Sequence, residues 1–193
     1  MDETGFNLWT KRTYGRSRVG ERCNRIVGGQ RGRNTTVITA ISDQVGVFYH
    51  EVHFRTVTKE TFNGFMNSLS MFLEDQVLTV IMDNAPVHNG VQEIYPDIQV
   101  KYLPPYSPFL NPIENCFSVF KSYVKQFVNE ESSNCTTERA RAMGTTQVAL
   151  RERALRGAIQ FAMPRVTKEI VADNYRNSNS YLGRCFDRED ILD

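Results

Sequence analysis

Phe62, Phe65, Met66, Leu69, Phe72 and Leu73 fall at i, i+3, i+4, i+7, i+10 and i+11, one apolar stripe along a helix that Thr58 is placed to cap. A second stripe, Ile113, Cys116, Phe117, Phe120, Tyr123, Val124 and Phe127, predicts a helix over 112–128 with Pro112 at its first turn. Between the two helices the period changes. VLTVIM (77–82) is apolar apart from Thr79, as in a central strand covered on both faces, and a shorter strand is expected over 98–103. Pro104, Pro105 and Pro108 then forbid regular structure and stiffen the approach to the second helix.

Ahead of the first helix, TTVITAIS (35–42) and GVFYHEVHF (46–54) are β-rich runs separated by Asp43-Gln44-Val45. They predict a hairpin, with Gly46 relieving its turn. Residues 4–12 alternate loosely as a strand, and the Gly- and Arg-rich stretch to Arg33 reads as loop with one short strand at most. Beyond the polar segment NEESSNCTTE a last long helix is expected over 137–163, broken near Gly144 and ended by Pro164. From Asn174 the chain turns polar and is expected to be extended or partly disordered. Strands, a helix, a buried strand, another strand and further helices describe an α/β sheet with a mixed edge. Residues 1–165 form the main unit, followed by a C-terminal helix and tail over 166–193.

At 193 residues the chain can bury one substantial core. No apolar run approaches the roughly 18 residues of a membrane span, and the Met-Asp-Glu start lacks the basic and hydrophobic character of a signal peptide. Cys23, Cys116, Cys135 and Cys185 lie far apart with no CxxC pair and read as free thiols. The net charge of +1 conceals an asymmetry: eight basic residues between Lys11 and Arg33 stand against the single acid Glu21, so the rest of the chain is net acidic. Lys11, Arg12, Arg16, Arg18, Arg22 and Arg25, beside Trp9 and Tyr14, form a stripe that would attract a phosphate backbone; a solvated surface is the alternative.

Three acids stand out. Asp83 follows the apolar run directly, where α/β sheets gather ligands at the carboxyl ends of strands, although Asp-Asn-Ala-Pro is also ordinary turn chemistry. Glu114 lies on the first turn of its helix, and Asn111, Pro112 and Glu114 equally fit a capping box. Asp2, near the start of the chain, is by local context a frayed, solvated residue. His88 reads either as a donor supporting these acids, or a substrate contact, or as an exposed loop histidine. Carboxylates delivered by separate elements can hold divalent metals for phosphodiester chemistry.

The phrases DETGFNLWTKRTYGRSRVG, VIMDNAPVH and YLPPYSPFLNPIENCFSVFK occur in this order. In them the chain closely resembles the catalytic domain of mariner-like DDE transposases, over residues 2 to about 125. The resemblance matches the family's three acids to Asp2, Asp83 and Glu114 as catalytic residues and metal ligands, with Asn84, His88 and Asn111 supporting them. It implies an RNase H-like mixed sheet flanked by helices, and two magnesium or manganese ions. It also implies DNA strand cleavage and strand transfer on transposon ends and target DNA, with a homodimer as one possible assembly. A eukaryotic nucleus is the expected compartment, a bacterial cytoplasm the alternative.

The chain departs from the family pattern in three places. Thirty residues separate Asp83 from Glu114, a few fewer than usual, and Phe117 stands where the family carries Trp. The family's first aspartate ordinarily sits on a central strand that begins upstream of it, so the sheet is expected to lack its first strand and Asp2 to lack rigid support. On that expectation the chain binds metal weakly and nicks DNA poorly or not at all. It keeps open an impaired or domesticated remnant that binds DNA or protein without cutting. An RNase H-type nuclease acting on hybrids is disfavoured by the Asn-Pro-Ile-Glu phrase.

Overall fold

The computed structural model describes residues 1–6, 17–22, 34–72, 78–131 and 135–187. Strands β1 (Asp2–Phe6), β2 (Thr35–Ser42) and β3 (Gly46–His53) form an antiparallel sheet in the order β1-β2-β3. The predicted hairpin is β2–β3, and Gly46 at its turn has φ of 95°, a conformation open to glycine. Lys168 Cα lies 3.1 Å from where a Cβ on Gly46 would be, so space as well as backbone requires glycine there. Strands β4 (Leu78–Met82) and β5 (Ile98–Tyr102) pair in parallel as a second, two-stranded sheet.

Alternation along β2 distributes its side chains to two cores. Val37 points into a cluster with Phe6, Ile113, Phe117, Phe120 and Val124, whereas Ile38 points into one with Phe62, Phe65, Met66 and Leu69. Helix α1 (Lys59–Met71) covers the second face, and α3 (Pro112–Glu131) covers the first, backed by α5 (Gln147–Ala162) and α6 (Lys168–Phe186). Helices on both faces of the strands make an α/β architecture. Phe6 meets Phe120 edge-on at 5.3 Å, fastening β1 to α3.

The predicted helices are in place, with corrections at their ends. Thr58 caps α1, its hydroxyl accepting from the Thr61 amide at 3.3 Å, and Phe62, Phe65, Met66 and Leu69 are buried. Phe72 lies past the last turn and is exposed, and Leu73 falls outside the described residues. The long C-terminal helix is broken as expected: α4 (Thr137–Ala142) ends before Gly144, which has φ of 63°, and Thr146 caps α5 anew. The polar segment after Asn174 is not extended; it continues α6 to Phe186. Thr167 caps this helix, and Val171 and Ser178 are buried on its inner side, so a mostly polar surface hides a narrow packing stripe. Short helix α2 (Val91–Ile94) connects β4 to β5.

β4 is not covered on both faces. Val80 and Met82 are buried, while Thr79 and Ile81 are exposed, because α1 packs on one side only. The expected single mixed sheet is also divided. β1 approaches β4 through the Met1 amine, which donates to Ile81 O at 2.7 Å. Beyond that bond β2 and β4 flank a gap of about 230 Å³ lined by Met1, Ala40, Ile41, Ile81 and Tyr175. No helix among the described residues is long and apolar enough to cross a membrane. Cys116, Cys135 and Cys185 are free thiols, and Cys23 lies outside the described residues.

Candidate active site

Asp2, Asp83 and Glu114 line one cleft of about 410 Å³, walled on its far side by the loop from Leu103 to Pro108. Three separate elements deliver them: the first residue of β1, the residue after β4, and the first turn of α3. The spacing of the acids in the sequence is therefore closed up by the fold.

Asp2 is not frayed. It pairs with Thr39 across the β1–β2 ladder and is only 7% exposed. Its Oδ1 accepts from the Glu3 amide at 2.7 Å, and its Oδ2 accepts from Asn111 Nδ2 at 3.0 Å. The expected lack of rigid support for Asp2 is thus corrected: strand pairing, burial and the Asn111 amide fix it. Burial pushes its pKa up to about 7, and the charges of Glu114, Asp83 and Glu3 add to the rise against the lowering effect of the Glu3 amide. The carboxylates feel one another, and each disfavours ionisation of Asp2.

Asn111 resolves the choice at the start of α3. Its side-chain amide is committed to Asp2, and its backbone carbonyl accepts from the Glu114 amide at 3.2 Å. Glu114 is exposed and faces the cleft. The residue types of a capping box here serve the acidic site.

Asp83 is held from behind by His88, which is fully buried rather than on an exposed loop. His88 Nδ1 lies 2.7 Å from Asp83 Oδ1, with Asp83 O at 3.2 Å, and Nε2 lies 3.0 Å from Glu3 Oε1. Two carboxylate acceptors call for an imidazolium donating from both nitrogens. Burial opposes that charge, but the hydrogen bond and charge of Glu3 and the contacts of Asp83 outweigh it, so the His88 pKa lies above its ordinary value. The Ala85 amide donates to Asp83 Oδ1 at 3.1 Å, and Phe62 packs on the imidazole at 4.4 Å between ring centroids.

Asn84 ties the ends of the two parallel strands together: its Nδ2 donates to Leu103 O. Sequence reasoning missed Glu3. Alternation on β1 sends Asp2 toward α3 and Glu3 toward α1, where it meets a histidine 85 positions away. No local spacing signals such a pair; the adjacency of two acids on a strand is the only hint.

Of the basic stripe, Arg18 and Arg22 are exposed, while Lys11, Arg12, Arg16 and Arg25 lie outside the described residues.

The donor set suits a hard divalent cation: carboxylate oxygens, with the ionisation of Asp2 opposed by burial first and by its acidic neighbours second. Among the described residues, no three Asp, Glu, His or Cys side chains converge closely enough to form a ready-made cage.

The chain is similar to the solved Mos1 strand transfer complex at a TM-score of 0.64 and 17% identity, covering 99% of this chain and 54% of that one. It is also similar to the Mos1 transposase paired-end complex with left transposon end, at 0.52 and 18%, covering 91% and 54%. This chain spans about half the length of those chains, and the likeness identifies the fold as RNase H-like. No curated protein matches it. The sequence model of the DDE superfamily endonucleases matches residues 1–135, which takes in all three cleft acids. With 135 of its 193 residues so matched, the chain belongs to the DDE superfamily of endonucleases.

Proposed function

We propose that this chain is a transposase catalytic domain that cleaves and transfers DNA strands with magnesium or manganese. The observation that carries the reading is the meeting of Asp2, Asp83 and Glu114 in one cleft, with the ionisation of Asp2 opposed by its burial and, to a lesser degree, by the other two. Two ions held by these carboxylates would supply the charge that steadies attacking and leaving oxygens in an in-line displacement. The chain's own part is to position: Asn111 orients Asp2, the Glu3–His88 pair orients Asp83, and Asn84 anchors the loop that walls the cleft. Arg18, Arg22 and the rest of the basic stripe would hold the phosphate backbone without reading sequence.

Manganese-dependent nicking of supercoiled plasmid, lost in Asp83→Ala, is the expected result. Equal nicking by the two proteins would refute the reading. The competing reading, a binding module that does not cut, draws on the absence of a ready-made cage among the described residues. Salt-sensitive DNA binding without nicking in any divalent metal would favour it.

A further inference from the structure

Tyr106 is the most exposed aromatic residue of the described chain, at 99%, and its backbone φ is 59°. It is the one non-glycine residue among those described with positive φ. A bulky side chain enters the left-handed region only where the surroundings impose it, and such strain clusters at ligand-binding sites. The surroundings here are explicit. Pro104, Pro105 and Pro108 restrict the backbone on either side. Ser107 Oγ donates to Pro105 O at 3.3 Å, the Leu110 amide to Ser107 O at 3.1 Å, and Asn84 fixes Leu103. The loop is held at both ends, yet the ring it displays packs on nothing.

That ring stands at the rim of the cleft that contains Asp2, Asp83 and Glu114. We propose that Tyr106 is a stacking platform for one unpaired nucleic-acid base next to the phosphate at the carboxylates. The inference rests on the function proposed above. A base offers a flat π-face of the right size, stacks on tyrosine whatever its identity, and would cover the exposed ring. Where a base leaves the stacked duplex beside the reacting phosphate, an aromatic surface fixed there would hold it. A flexible loop could not do this as well, because ordering it would consume the stacking energy. The strained, anchored backbone keeps the ring presented in advance.

The test scans single 2-aminopurine and single abasic substitutions along a short DNA bearing an unpaired segment, bound in calcium by the whole chain. For the wild type and Tyr106→Phe, 2-aminopurine fluorescence should be quenched at one position. Tyr106→Ala should lose that quenching and roughly 5- to 150-fold in affinity. An abasic site at the same position should weaken the wild type by a like factor and Tyr106→Ala no further. Tyr106→Gly, which accepts the backbone conformation without strain, should unfold no more easily than wild type and still lose the affinity. Undiminished affinity and quenching in Tyr106→Ala would overturn the platform. Nicking that survives Glu114→Ala would instead overturn the carboxylate site, and a wild type that binds no DNA would overturn both.

Discussion

Replacing Asp2 by Asn should stabilise the metal-free protein at alkaline pH. Asp2 has its pKa raised from 3.8 to about 7. The folded state therefore binds the proton more tightly than the unfolded chain. Between about pH 4 and pH 7 it carries more protons, so stability falls as pH rises, and the full penalty is present above pH 7. A shift of about 3 units corresponds to about 4 kcal/mol. Asn carries no charge and escapes that penalty. It keeps one of the two hydrogen bonds, since its amide can accept from Asn111 or from the Glu3 backbone but not from both. Losing the other costs about 1 kcal/mol. The net expectation is a gain of about 3 kcal/mol at pH 8 and a loss of about 1 kcal/mol at pH 4. His88, with its raised pKa, also gives stability that is lost as pH rises, and the Met1 amine, lowered by burial, runs the other way; both are present in the two proteins and largely cancel. Urea unfolding in EDTA at pH 4 and pH 8 reads the difference directly. Manganese at about a hundred times its dissociation constant should then return about 2.7 kcal/mol to the wild type at pH 8 and little to the variant. If Asp2→Asn is no more stable than wild type at pH 8, the buried carboxylate carries no ionisation penalty and the electrostatic case for the site fails.

His88→Ala should lower manganese affinity about 10- to 100-fold by titration calorimetry, because Asp83 loses the group that orients it; unchanged affinity would show that Asp83 needs no such support. Phe120→Ala should destabilise the fold by about 3–5 kcal/mol in the same urea experiment, since the ring is 1% exposed and braced by Phe6; a loss below 1 kcal/mol would mean the α3 core closes around the gap. Changing Arg16, Arg18 and Arg22 to Ala should flatten the dependence of DNA affinity on salt by up to about three counterions. An unchanged slope would leave the stripe a solvated surface.

The helix stripes of α1 and α3 and the β2–β3 hairpin were legible because each element carries its own period in contiguous residues. Asp83 and Glu114 were legible because a strand end and a helix start are local features that distinctive phrases mark. Asp2 was half legible: its phrase named it, but only the ladder with Thr39 and the Asn111 amide, 109 residues away, show that it is buried and fixed. Glu3 was hidden because its role depends on the alternation of β1 and on a histidine from another element. The polar residues of α6 concealed its helix, since a stripe as sparse as Val171 and Ser178 is outweighed by the Asn and Ser around it. Tyr106 could be read as loop, but its backbone conformation is set by the anchored prolines and not by its own preference.

The division of the strands into two sheets has a mechanical consequence. Asp2 rides on one sheet and Asp83 on the other, with the Met1 amine bond to Ile81 running along the line where they meet. The two acids are thus the tips of a caliper whose pivot is that line. A rotation of β4 and β5 against β1 about that line would change the spacing between the tips. An ion gripped by both would lock the caliper, so that cation capture and the rigidity of the whole strand layer become one event.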